Sequence, residues 1–366
     1  MRFNELKIDV IDHQMKIQSI TTIACSGCFE NYGLRLEAEK IGLYSKNTCS
    51  SCGSKEYRKL NDILLERLAF NFFVRGTIHK VDYGAAPLIQ FNQYQSTGVK
   101  FDNELDMDVK IFEQKLGIGF FDYGPRLWMV GEVEPLKQMQ LLNGEEKEIF
   151  QKIIEEYPKI FLPKDEILYR VRKNPEGNLS ATDFDSPPIQ YLGNGRLDNK
   201  ENPIFYCSTD LELCLHECRV SSEDQIYVGI FKPSKPLKLL DLSVILDEDC
   251  TEFESLDLSV LMLFLASQHA YKILQKLSNF IRENGFDGII YPSYFSMLKT
   301  GNIPFETVIG ISNRRLNGFK TYEANKIVKS VALFGYPLRD NKLDVISTNK
   351  LLLNQVKYDF TMAPIY

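Results

Sequence analysis

Cys25-Ser-Gly-Cys28 and Cys49-Ser-Ser-Cys52 form two C-x-x-C pairs with twenty residues between them. This spacing constrains the chain more than any other feature. Each pair turns tightly enough to aim two sulfurs at one point, and two such knuckles make a four-thiolate Zn2+ site. Gly27 and Gly53 supply the backbone freedom the turns need. Four protein thiolates leave no open coordination position, so the expected role of the zinc is structural. The alternative is two chance pairs of buried thiols.

The remaining features bound the class. A chain of 366 residues, 44% hydrophobic and 25% charged, is long enough for two or three domains with real cores. Its net charge of -6 argues against a general nucleic-acid binder. No apolar run approaches the ~20 residues of a membrane span, and "MRFNELKIDVIDHQ" lacks a signal-peptide layout. A reducing cytoplasm is the expected compartment, where cysteines serve as metal ligands or buried thiols.

Texture divides the chain into three stretches. Residues 1–60 are polar and Cys-punctuated, and residues 61–160 are rich in aromatic and apolar side chains. The second stretch ends in a connector helix, in which Ile149, Ile153 and Ile154 recur at helical spacing before Pro158. From residue 165 to 366, strand-like runs dominate: "ILYRVR", "PIFYCS", "IYVGIFKP" and "LKLLDL". Two helices interrupt them: "STDLELCLHECR", with Ser208 as the expected N-cap, and "LSVLMLFLASQHAYKILQKLSNFIRENG". The expected class is α+β, with a C-terminal mixed β-sheet domain and a separate N-terminal zinc-binding and helical region.

Several polar residues are candidates for chemistry. Arg170 and Arg172 alternate on one strand face and suit a pyrophosphate. Arg196 follows Gly193-Asn-Gly195, where glycine permits close approach of a ligand to the backbone. Glu217 lies beside the apolar stripe of its helix, placed to serve as a partly buried carboxylate. Pro292 stops a strand and leaves Ser293 at its end as a hydrogen-bonding group. Cys207, Cys214, His216 and Cys218 could form a second metal site. His216, however, points away from the Cys214/Cys218 face, which favours buried thiols. Arg75 and His79, four apart, could share a helix face as in some RNA-cleaving helical domains. Gly76, Thr77 and Ile78 weaken that helix.

The order "LYRVR", then "GNGRLDNKENPIFYCSTDLELCLHEC", then "FDGIIYPS" resembles the RES domain, a family named for its Arg, Glu and Ser. The resemblance covers roughly residues 165–335, and Gly193 to Glu217 is its most specific part. The family pattern maps onto Arg170, Arg196, Tyr206, Glu217 and Ser293. Leu197, Tyr294 and "IPFETVIGI" depart from the familiar pattern. The N-terminal half, with its knuckles and "YGPRLWMVG", is similar to a HEPN-like region that precedes RES domains in a longer subfamily.

The resemblance implies a fold similar to ADP-ribosyltransferases and a toxin or defence effector that consumes NAD+. Its reaction would split the nicotinamide–ribose bond with phosphate or water. The alternatives are ADP-ribosyl transfer to a host protein and, in another class, a zinc-ribbon nucleic-acid-binding protein or RNase. Glu217 would stabilise the ribosyl cation, and Arg170 and Arg196 would hold phosphates beside Gly195. Tyr206 would position the nicotinamide side, and Ser293 would hydrogen-bond ribose or the leaving group. Besides NAD+ and phosphate, the expected partners are a neutralising antitoxin or regulatory protein and a second copy of the chain. No membrane is expected among them. With no glycine-rich dinucleotide fingerprint, NAD+ would be substrate and not a hydride carrier.

Overall fold

The computed structural model describes residues 22–81, 84–124, 133–175, 180–300, 307–308, 311–357 and 360–365. The chain divides into two compact units. The first comprises residues 1–79, 87–125 and 359–366, and the second residues 80–86 and 126–358. Most of "YGPRLWMVG" and of "IPFETVIGI" lies outside the described residues.

In the first unit, β1 (Ala24–Cys25) pairs antiparallel with β2 (Lys59–Leu60). Three helices follow: α1 (Tyr32–Ile41), α2 (Asp62–Ala69) and α3 (Asn103–Leu116). Each begins at a side chain that accepts a backbone N–H: Asn31 from Leu34, Asn61 from Leu64 and Asp102 from Leu105. The antiparallel pair β3 (Ile89–Gln93) and β4 (Ile118–Asp122) closes the unit. The knuckle segment and the helices share one core, in which Phe73 packs against Phe101, Phe112 and Phe120.

Arg75 and His79 do not share a helix. Arg75 lies in a 3-10 turn, Arg75–Thr77, and His79 on a strand, Ile78–Val81. Thr77 explains the break: its hydroxyl donates to Phe73 O and accepts from Ile89 N, so its side chain takes over bonds that would continue the helix.

In the second unit, α4 (Glu134–Leu141) and α5 (Glu146–Glu156) precede a five-stranded sheet. That sheet contains β5 (Lys159–Leu162), β7 (Ile204–Cys207), β9 (Leu237–Asp241), β10 (Gly288–Pro292) and β11 (Lys329–Phe334), in the order β5-β9-β10-β11-β7. Only β9 and β10 run parallel. A three-stranded antiparallel sheet has the order β12-β8-β6, from β6 (Leu168–Lys173), β8 (Ile226–Pro233) and β12 (Leu343–Leu351). All four sequence-predicted strand runs are strands here, and the domain is mixed α+β.

Strand alternation gives the large sheet two buried faces. Ile289, Tyr291, Ala332 and Phe334 point to the helices. Phe205, Ile290, Val331 and Leu333 share a core with Leu168 and Phe231 of the smaller sheet. The expected connector, α5, is part of the helical side: Phe150, Ile153 and Ile154 are buried in that core. The long helix expected after residue 257 is two helices, α7 (Leu256–Leu265) and α8 (Tyr271–Glu283), with a 3-10 turn at Gln268–Ala270. Among the described residues, no helix is long and apolar enough to cross a membrane.

Candidate functional site

The C-terminal end of β10 and the last turn of α6 (Leu211–Glu217) create the centre of the site. Asp210, not Ser208, caps α6 by accepting from Leu213 N at 3.1 Å. Ser208 instead accepts from Asp210 N and donates to Lys329 O. Arg219 then takes a left-handed conformation (φ 48°), ending the helix just past Glu217.

Glu217 is accessible to solvent, yet its carboxylate sits against buried donors. Ser293 Oγ donates to Oε1 at 2.5 Å, and Ser330 Oγ reaches the same oxygen at 3.4 Å. Ser293 is fully buried. Its N–H donates to Val328 O at 2.8 Å, and its hydroxyl accepts from Phe295 N at 3.1 Å. The protein surrounding the Glu217 carboxyl raises its pKa above the usual range. The Ser293 hydroxyl, the Arg196 charge and Ser330 oppose that rise. Tyr291, opposite Ser330 in the β10–β11 register, is buried, and burial together with the Glu217 charge holds its phenol far above the ordinary value.

Arg196 is anchored by carbonyls. Its Nη1 donates to Phe264 O (2.7 Å), Ala266 O (3.0 Å) and Leu263 O (3.4 Å) at the C-terminus of α7, where a cation complements the helix dipole. The guanidinium lies 5.1 Å from the Tyr271 ring centroid and 5.6 Å from that of Tyr294. Tyr294, a departure from the family pattern, thus has a local partner. Leu197, another departure, is fully buried in the helical core.

The glycine-bounded loop is latched by a side chain that sequence reasoning passed over. Asp198 is buried; its Oδ2 accepts from Gly193 N at 2.7 Å and its Oδ1 from Tyr206 OH at 2.9 Å. The Tyr206 hydroxyl also accepts from Leu197 N. Gly193 has a φ of +97°, and a Cβ on Gly195 would lie 1.8 Å from Asp198 Oδ1. Gln275 Nε2 holds Gly195 O at 2.9 Å. Tyr206 therefore fixes the loop that carries Arg196.

Arg170 is buried over the Phe205 ring and donates to Tyr206 O (2.8 Å) and Asp185 O (3.3 Å). Arg172 donates to the same Asp185 carbonyl at 2.9 Å, and among the described residues neither buried Nε has a partner. Burial and the neighbouring Arg172 charge lower the Arg170 pKa to about 10. Two cations on one strand face concentrate positive charge of the kind that suits an anion.

Cys214 and Cys218 donate to Tyr169 O (3.2 Å) and Val171 O (3.6 Å), packing α6 onto β6. Burial pushes the Cys214 thiol up to about 12 and raises those of Cys207 and Cys218. Among the described residues, the one metal-compatible cluster is Cys25, Cys28, Cys49 and Cys52, whose sulfurs all lie within 4.8 Å of one another. The Cys25–Cys28, Cys25–Cys52 and Cys28–Cys49 pairs are 3.6, 3.5 and 3.6 Å apart. A tetrahedral Zn2+ with ~2.3 Å bonds has edges of about 3.8 Å, so the four residues fit that ion.

Ser330, Tyr291 and Asp198 are the site residues that sequence reasoning missed. Ser330 had one signal, a lone hydroxyl in the apolar run "SVALF".

Comparison with known proteins bears on the same segment. No curated protein matches the chain. Among solved structures, a chain of the M. tuberculosis MbcT–MbcA toxin–antitoxin complex aligns at 12% identity and a TM-score of 0.33, covering 56% of this chain and 92% of that one. The RES family model matches residues 167–303, the stretch that contains Arg170, Arg196, Tyr206, Glu217 and Ser293; those residues are a RES domain.

Proposed function

We propose that this chain degrades NAD+, breaking the bond between nicotinamide and the ribose C1′ and passing the ADP-ribosyl group to water or phosphate. One observation carries the proposal: an accessible carboxylate, Glu217, is held by a buried hydroxyl on one oxygen while the Arg196 charge lies near. As the C1′–N bond breaks, its electron pair leaves with neutral nicotinamide and positive charge develops on the ribose. A carboxylate beside the ribose stabilises that charge, and does so best where protein has displaced water. Water or phosphate then bonds to C1′, and with water a proton is released. The arginines of β6 add positive charge on the side of the pyrophosphate. Arg196, fixed through Nη1, offers its remaining N–H groups to a phosphate.

The domain in this reading begins near residue 165 and runs through β12, because β11 and β12 complete the two sheets beyond residue 303; the expected end at 366 is not kept, since residues 359–366 belong to the first unit. Two facing sheets with the acid at one end support the likeness to ADP-ribosyltransferases. Zinc at the four cysteines is structural and takes no part in the reaction. A chain that consumes NAD+ endangers its own cell, so a neutralising protein belongs to the proposal.

Purified chain incubated with NAD+, with and without phosphate, should release nicotinamide. Glu217→Gln should release it at least about a hundredfold more slowly at an unchanged melting temperature. No release from folded wild-type protein in either condition would overturn the proposal. In a lysate with labelled NAD+, label on a protein band would instead indicate transfer to a protein.

A further inference from the structure

Residues 360–365 follow the RES domain in sequence but belong by contact to the first unit. They seat on α1. Met362 N donates to Glu37 Oε1 at 2.9 Å, and Lys40 Nζ donates to Phe360 O at 2.6 Å, with its ammonium 5.5 Å from the Phe360 ring centroid. Glu37 and Lys40 are three apart and share one helix face. A Cβ on Gly76 would lie 2.6 Å from Ala363 Cβ, and one on Gly33 would lie 3.3 Å from Met362 Cβ. Both glycines are therefore filled by the segment. Pro364 is buried and restricts Ala363 to extended backbone.

Glu37 is the telling residue. It is only 3% exposed, and a carboxylate so enclosed needs a donor. The segment supplies one as a main-chain N–H. Residues 352–357, between β12 and the segment, form no helix or strand and are mostly exposed. They act as a spacer.

We propose that the first unit is a receptor for an extended peptide and that residues 360–365 are its ligand in cis. Glu37 and Lys40 read the peptide backbone, one N–H and one carbonyl. Gly76 admits a small residue at position 363, and Pro364 presets the extended shape. Closure of the zinc-knuckle unit thus depends on a segment made after the whole RES domain, whatever the reaction of that domain.

The test uses the full chain with a protease site placed in the 352–357 spacer and cut after folding. The cut segment should stay with the body through size exclusion. A Met362→Pro segment, which lacks the N–H, and an Ala363→Leu segment, which meets Gly76, should each leave at least tenfold faster. Both changes lie in the segment, and circular dichroism and the melting temperature of each uncut chain check that its body has folded as in wild type. A labelled peptide of residues 359–366 added to the stripped body should rebind, measured by fluorescence anisotropy, at least tenfold more tightly than its Met362→Pro form. Equal release of all three segments, or rebinding no tighter than a scrambled peptide, would overturn the proposal.

Discussion

Ser293 Oγ donates to Glu217 Oε1 at 2.5 Å, joining the residue that follows β10 to the last turn of α6. The bond favours the ionised carboxylate, while the surrounding protein disfavours it and wins, so the Glu217 pKa lies above the ordinary glutamate range. Nicotinamide release requires the carboxylate form, so its acid limb should lie on the high side of that range. Ser293→Ala removes a donor to the charged form and should move that limb to still higher pH. The linkage to stability has the matching sign. The folded state holds the Glu217 proton longer than the unfolded chain, so this group's contribution to stability falls as pH rises through the raised pKa. A pH–rate profile of both proteins checks the order; a limb unmoved by Ser293→Ala would contradict it.

Glu217→Gln keeps the shape and can still meet Ser293, but it carries no charge to face a ribosyl cation. The expected loss is about 10²–10³ in kcat, the size seen for a single electrostatic stabiliser. The side chain is solvent-accessible, so the melting temperature should hold. A variant that retains a tenth or more of wild-type turnover would move the chemistry to another residue.

The two glycines before Arg196 should respond differently from surface-turn glycines. Gly195→Ala drives a methyl into Asp198 Oδ1, so the latch must open and Arg196 must shift. Nicotinamide release should fall at least tenfold. Tyr206→Phe deletes the hydroxyl shared by Asp198 and Leu197 N, leaving a buried carboxylate short of a donor. That should cost about 1–3 kcal/mol, visible in a denaturant melt. If Gly195→Ala behaves like wild type, the latch does not position Arg196.

Local chemistry explains which parts of this structure were legible in the sequence. Arg196, Glu217 and Ser293 stood out because glycines, an apolar helix stripe and a strand-ending proline punctuate their positions. The four strand runs were legible for the same reason, being short, apolar and bounded by turn residues. The bond between Ser293 and Glu217 was not, because it spans 76 residues. Ser330 was not either: only the β10–β11 register sets it across from Tyr291. The break between α7 and α8 was hidden too, since Arg196, a residue far upstream, takes the carbonyls that a continuous helix would have used. Arg75 and His79 show the converse case, where a spacing that allows a shared helix face lost to a Thr77 hydroxyl.

Wild-type protein should carry one zinc per chain, measured by elemental analysis, and Cys49→Ser should lose it. The first unit has its own aromatic core, so a strong chelator should lower its melting transition without abolishing the fold. A folded, reduced chain purified in the presence of zinc but holding none would remove the metal from the proposal.

Lys299 ties together the two elements that carry the central pair. It lies on the short helix Ser296–Thr300, just past Ser293, and its ammonium bridges Asp210 (2.9 Å to Oδ2) and Glu212 at the start of α6. Burial lowers its pKa, but the two carboxylates outweigh that and hold it above the usual range. Lys299 touches neither Glu217 nor Ser293, so it acts on geometry alone. A partly exposed ion pair contributes only about 0–1 kcal/mol to stability, so Lys299→Met should leave the melting temperature nearly unchanged. It should lower kcat with KM held, because Ser293 and Glu217 lose their fixed separation, and Lys299→Arg should restore most of the rate. A loss of KM alone would assign Lys299 to substrate binding, and a loss of stability alone would reduce it to an ordinary surface bridge.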